Sequence, residues 1–198
     1  MIKQRGFSLI ELIIVVVILS LLAVTALPRF LNVSEQAEDA AVEGVAGGFA
    51  AAVGLVRAQW EIEGRPKGTS AFITMDSTKV SVNEFGFPTA INGGSNQTPA
   101  NMTPAACQTV FNDIIQSPVR SVISNQDARN VRYYISVSNT PGTTDNGDQF
   151  LLCTYHLVAT LRLNESTGVP IGTVDLTTGN SFSYNAATGQ IQVYSNNT

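Results

Sequence analysis

The chain has 198 residues, a net charge of −4 and only 13% charged residues. A nucleic-acid footprint would be basic; here Lys and Arg are scattered singly, so no nucleic-acid partner is expected. Low charge and plentiful Ser, Thr, Asn and Gly beyond Gly64 suit a β-rich extracellular surface better than a cytosolic enzyme.

The first six residues, Met-Ile-Lys-Gln-Arg-Gly, are short and basic. Residues 7–27 read FSLIELIIVVVILSLLAVTAL, interrupted by a single charge, Glu11, and followed by Pro28. About 21 such residues at 1.5 Å rise make a helix of roughly 30 Å, the thickness of a bilayer's hydrocarbon core. A carboxylate left unpaired there costs on the order of several kcal/mol, so Glu11 needs a purpose. An ordinary secretory signal is cut after its apolar stretch. Here the only cleavage-like spot, Gly6-Phe7, precedes it, and cutting there leaves the hydrophobic segment on the mature chain. Lys3 and Arg5 would hold the leader on the cytoplasmic side, with everything beyond Pro28 facing out.

Helical spacing continues past Pro28. Phe30, Val33, Ala37, Ala41, Val45, Phe49, Val53, Val56 and Trp60 recur at steps of three or four, a helical stripe. Pro28 then reads as a helix kink rather than a stop. The joined helix, from Phe7 to about Ile62, would be roughly 80 Å long. Its middle carries Gly44, Gly47, Gly48 and Gly54. Two readings stand side by side: small residues spaced by four, Gly44, Gly48 and Ala52, that admit a second helix closely, or tight packing against the domain's own sheet or simply a flexible spot.

Gly64-Arg65-Pro66 ends the helix. Residues 64–101 read as loop with one short strand at 79–82, and Phe85-Gly86-Phe87-Pro88 as a turn pinned by its aromatics. Thr103-Pro104 is an N-cap with Pro at the first helical position, opening a second helix of about three turns that stops before Pro118. Strands are expected at 131–138, at 149–163 with a bend, and more weakly at 172–176; 180–185 and 190–195 form a hairpin. The fold class is therefore α+β, a long N-terminal α-helix with its outer half packed against an antiparallel β-sheet.

Two cysteines, Cys107 and Cys153, invite one disulfide and with it an oxidising compartment; free thiols are the alternative. No catalytic set emerges, so the chain is not read as an enzyme and no cofactor is expected. His156 is the only histidine and reads as structural or surface. Asp145-Asn146-Gly147-Asp148 reads as a turn, with calcium binding as the lesser alternative, because it lacks an EF-hand's length and closing Glu.

Gly6-Phe7-Ser8-Leu9-Ile10-Glu11-Leu12, the basic leader, the apolar run and Pro28 resemble the type IV pilin and pseudopilin family. The match is confined to about 30 residues but specific, and the helix-then-sheet order fits. Phe85-Gly86-Phe87-Pro88, the cysteine pair and the C-terminal hairpin look like the mannose-sensitive haemagglutinin class of pilin. The resemblance implies a cleaved leader (1–6), a transmembrane and fibre-core helix (7–28) and a globular pilin domain (29–198). It implies that a prepilin peptidase cuts between Gly6 and Phe7, that Phe7 is N-methylated, and that assembly machinery in the inner membrane builds subunits into a homo-oligomeric helical filament. Glu11 would face the Phe7 amine of a neighbouring subunit. In related fibres the helix melts near the proline, here between Ser20 and Pro28. The filament would serve attachment and biofilm formation, with host or environmental glycans as partners and 93–101 and 139–148 as candidate contact loops. The alternative is a type II secretion pseudopilin. Those proteins are usually shorter, lack cysteines and carry a C-terminal calcium loop.

Overall fold

A computed structural model describes residues 7–92, 95–138, 141–144 and 147–196. Outside the described residues lie the leader with Gly6, the Gly93-Gly94 pair, Asn139, the Asp145-Asn146 half of the acidic turn, and the Asn197-Thr198 end of the tail.

The chain divides into two compact units, Met1–Ala37 and Glu38–Thr198. Helix α1 (Leu9–Ile62) contributes to both and is helical through position 28. Pro28, deep inside this helix, has no N–H to donate to the preceding turn, yet the residues on both sides of it are helical. Ser20 and Thr25 turn their hydroxyls onto the carbonyls of Val16 and Leu22, at 2.7 and 2.9 Å. The stretch expected to melt in a fibre is helical here.

In the second unit α1 buries Val42, Ala46, Phe49, Val53, Val56 and Trp60. Their steps of four and three keep to the 3.6-residue turn. The sequence stripe instead ran in fours from Val33, which drifts about 40° per step. Ala41 and Val45 accordingly flank the core, and Phe30, Val33 and Ala37 are exposed. The helix ends where Gly64 takes φ 83° and the Arg65 N–H donates to the Trp60 carbonyl at 2.9 Å.

Strands β1 (Phe72–Met75) and β2 (Thr78–Ser81) form a hairpin. Its turn, Asp76-Ser77, has φ of 44° and 70°, the paired left-handed residues that a two-residue hairpin requires. No glycine announced it, so β1 went unread. Short β3 (Ile91–Asn92) and β4 (Ser95–Asn96) pair with each other. Helix α2 (Pro104–Ile114) starts as expected, with the Thr103 hydroxyl accepting from the Ala106 N–H at 3.2 Å. Then follow β5 (Ser121–Ile123), β6 (Tyr133–Val137), β7 (Gly142–Thr143), β8 (Gln149–Phe150), β9 (Leu152–Leu157), β10 (Ser181–Asn185) and β11 (Ile191–Tyr194).

The main sheet has the order β11-β10-β9-β6-β5. Four strands run antiparallel, and the edge strand β5 joins parallel to β6. The expected strand at 172–176 does not form; residues 173–175 are irregular and lead into a turn at Leu176-Thr177 held by Asp175, whose carboxylate accepts from the Thr177 and Thr178 hydroxyls. The α+β class of a long helix, an essentially antiparallel sheet and one disulfide stands.

The inner sheet face is aromatic. Phe49 of α1 lies 5.3–5.6 Å from the rings of Tyr155, Phe182 and Tyr184 and 6.1 Å from Phe111 of α2. Cys107 of α2 bonds Cys153 of β9 across Cα atoms 5.5 Å apart, and the Tyr155 hydroxyl donates to the Cys107 carbonyl at 3.0 Å. The turn at 85–88 is pinned as expected. The Asn83 side chain accepts from the Phe85 and Phe87 N–H groups and donates to the Ala186 carbonyl. Gly86, at φ 78°, lets the turn lie against Arg57 and Trp60 where a Cβ would collide.

The outer sheet face is buried too, which simple alternation did not foretell. Val158 and Leu161 pack with Tyr134, Thr178 meets His156, and Ser136, Thr154, Ser181 and Ser183 are buried on the same face. Ser136 and Thr154 satisfy one another at 2.6 Å. His156 is fully buried and structural.

Candidate functional site

The chemistry-bearing residues gather at the start of α1. Phe7 is 82% exposed. The Ser8 N–H and hydroxyl both donate to Glu11 Oε2 at 2.8 Å, and the Glu11 N–H donates back to the Ser8 hydroxyl at 3.3 Å. This is a capping box, and it satisfies amides that a helix start leaves without partners. Glu11, expected to need a cation, here has Ser8 as its partner. The signal was present, since Ser-x-x-Glu ahead of an apolar run is the capping signature. Among the described residues no cation pairs with Glu11.

Behind the box every large apolar side chain from Leu9 to Leu27 is 46–76% exposed. The segment is long and apolar enough to cross a membrane. A surface this apolar demands cover by lipid or protein. The remaining expected site residues sit apart from this end: the Cys107–Cys153 bridge ties α2 to β9, and Pro28 lies within the helix.

The family model of the prokaryotic N-terminal methylation motif matches residues 1–27. The chain is also 31% identical over 113 residues to the type IV narrow pilus major component PilA5 of Thermus thermophilus, covering 51% of this chain and 97% of that one. This chain belongs to the type IV pilin family. No solved structure matches it.

A second feature of this pilin lies along α1 in the Glu38–Thr198 unit. Opposite the buried stripe runs an exposed one, Gly44, Gly48, Ala51, Leu55, Ala58 and Ile62. An outward helix face is ordinarily polar; this one carries no charge. A Cβ added at Gly44, Gly47, Gly48 or Gly54 would meet nothing within 4 Å. The glycines therefore do not serve packing against the pilin's own sheet. In a helix each costs about 1 kcal/mol relative to alanine, about 4 kcal/mol for the group.

Proposed function

We propose that this pilin is the structural subunit of a type IV pilus that serves attachment and biofilm formation. The exposed apolar helix Leu9–Leu27, placed directly behind the methylation motif, carries this reading. While stored, the subunit sits in the inner membrane, its leader cytoplasmic and its domain outside. A prepilin peptidase cuts between Gly6 and Phe7, Phe7 is N-methylated, and inner-membrane assembly machinery draws the subunit into a head-to-tail, open helical fibre. The apolar helix exchanges lipid for protein cover in that step. Glycans are the proposed attachment partners. The likeness to mannose-sensitive haemagglutinin-type pilins rests on the 85–88 turn, the cysteine pair and the C-terminal hairpin. Electron microscopy of wild-type and deletion cells tests the reading. Long surface filaments that vanish on deletion support it; no filaments together with a defect in protein secretion would assign the chain to a secretion pseudopilin.

Two substitutions probe the site. Gly6→Ser should leave the precursor uncut, because the peptidase must then accept a side chain at the cleaved bond; a mature-size band on an immunoblot would contradict this. Glu11→Gln separates the two roles of that side chain. A glutamine oxygen still completes the capping box with Ser8, while the charge that would face a neighbour's Phe7 amine is gone. An anion in an apolar fibre core needs a cation within a few ångströms. The variant should therefore accumulate in the membrane at normal level yet yield few filaments; wild-type filament numbers would sink the pairing.

A further inference from the structure

The outer face of the main sheet carries a row of hydroxyls. Ser136, Thr154 and Ser183 stand opposite one another in register on β6, β9 and β10, and all three are at least nine-tenths buried. Buried hydroxyls ordinarily find hydrogen-bond partners. The Ser136 and Thr154 hydroxyls have only each other, so one of the two keeps a proton to donate. The Ser183 hydroxyl has no hydrogen bond among the described residues. Thr154 lines an open pocket of about 350 Å³ between the ends of β6 and β9 and the turn that follows Val174.

We propose that this pocket binds one ring of a saccharide, with Asp175 Oδ2 accepting from ring hydroxyls and Ser138 and Thr154 hydrogen-bonding the ring from the sheet. The inference rests on the attachment reading and gives it a site. The polar groups of the pocket select the ligand. Asp175 Oδ1 is taken by the Thr177 N–H and by the Thr177 and Thr178 hydroxyls. Its Oδ2 accepts no hydrogen bond among the described residues. The Ser138 hydroxyl accepts from the Leu152 N–H at 2.9 Å and keeps its own proton to donate. A neutral polyol answers acceptor and donors together. Val137, Val174 and Leu176 supply the apolar wall that the C–H face of a sugar ring needs. Asp175 is the one charged residue lining the pocket. It repels an anion, and a single carboxylate falls short of the six or more oxygens that a hard cation takes. The volume lies at the small end of ligand pockets, which suits one ring rather than a longer chain. The position fits attachment as well. The inner sheet face is spent on α1, which the filament reading turns toward the fibre core, so the outer face is left for the filament surface. Val137 and Ser138 also lead directly into 139–148, a candidate contact loop.

The test uses filaments sheared from wild-type cells, with free glucose, galactose, mannose and N-acetylglucosamine as probes and saturation-transfer NMR as the readout. At least one of the four should bind, with a Kd of about 1 mM for a single ring. Asp175→Asn keeps a side-chain oxygen for Thr177 and Thr178 but turns the accepting Oδ2 into an amide donor. It should assemble as wild type and bind the sugar about tenfold or more weakly. Thr154→Val removes the floor hydroxyl and carries the same expectation; it decides if Asp175→Asn yields no filaments. Binding of none of the four sugars, or wild-type affinity in the variant, overturns the pocket assignment. Attachment is scored separately, as cells held on beads coated with polymers of the same sugars. Wild-type cells held no better than deletion cells overturn the attachment reading, and free-sugar binding that persists then assigns the pocket to a soluble sugar. Loss of bead attachment in Asp175→Asn cells with normal filament numbers supports both.

Discussion

Breaking the Cys107–Cys153 bridge is expected to cost this pilin about 4 kcal/mol. The bond closes a loop of 46 residues in sequence separation, and chain-entropy reasoning assigns a loop of that size about that much. The loop holds Val110, Phe111 and Ile114 of α2, then β5 and β6, so an open chain must gather Phe111 and Tyr133 of the aromatic core without a tether. For a chain of this length about 4 kcal/mol lowers the melting temperature by about 10 °C. Reduced and oxidised wild-type protein, compared in detergent, give the cleanest measurement, because Cys107→Ser also leaves a hydroxyl in a fully buried position. Cys107→Ala with Cys153→Ala should reproduce the reduced protein. Coincident melting curves with and without reductant would show that the bridge adds nothing.

The second large effect is acid instability with a single origin. His156 is fully buried on β9, and Nδ1 lies 3.3 Å from the Thr178 carbonyl, which fits a ring protonated at Nδ1 and neutral overall. Nε2 and the Ser181 hydroxyl opposite it in register have no partner among the described residues. Burial depresses the imidazole pKa from 6.5 to about 4, against smaller upward contributions from Thr178 and Asp175. The unfolded chain therefore takes up a proton between pH 6.5 and 4 that the folded chain refuses. Stability falls as pH falls through that window, by about 3 kcal/mol at its lower end. Asp127, held at about 2 by Arg129, and the lowered Glu63 and Asp175 act in the same direction, but only below the ordinary carboxylate range. Asp113, raised by partial desolvation, acts the other way as pH falls, so the loss of stability between pH 6.5 and 4.5 is that of His156. Denaturant unfolding across it should show a steep slope in wild type and a nearly flat one in His156→Gln. Equal slopes would place the proton uptake elsewhere.

Local signals carried much of this fold. Thr103-Pro104 opened α2, Gly64 closed α1, and the alternation of β6, β9 and the β10–β11 hairpin was readable because each rule acts within a few residues. Three features failed for lack of such a local signal. β1 turns at Asp76-Ser77 without a glycine. β5 has only three residues and pairs in parallel with a strand that follows it after nine residues. Residues 172–176 alternate like a strand, yet they run irregularly into a turn at Leu176-Thr177 that the Asp175 side chain holds. At the candidate site the apolar run, Gly6-Phe7 and Glu11 were plain, whereas the Ser8 bond to Glu11 was legible and passed over.

The sequence by itself determined the membrane-length helix, its processing motif, its lone carboxylate and the family, because all of these reside in contiguous residues. Only the tertiary structure decided that Cys107 and Cys153 meet, that His156 is sealed beneath segment 158–178, and that the glycines of α1 face outward. Burial depends on which segments come together from far along the chain. A glycine's purpose in particular cannot be read from its neighbours in sequence, since it is set by what does or does not stand within reach of the missing Cβ.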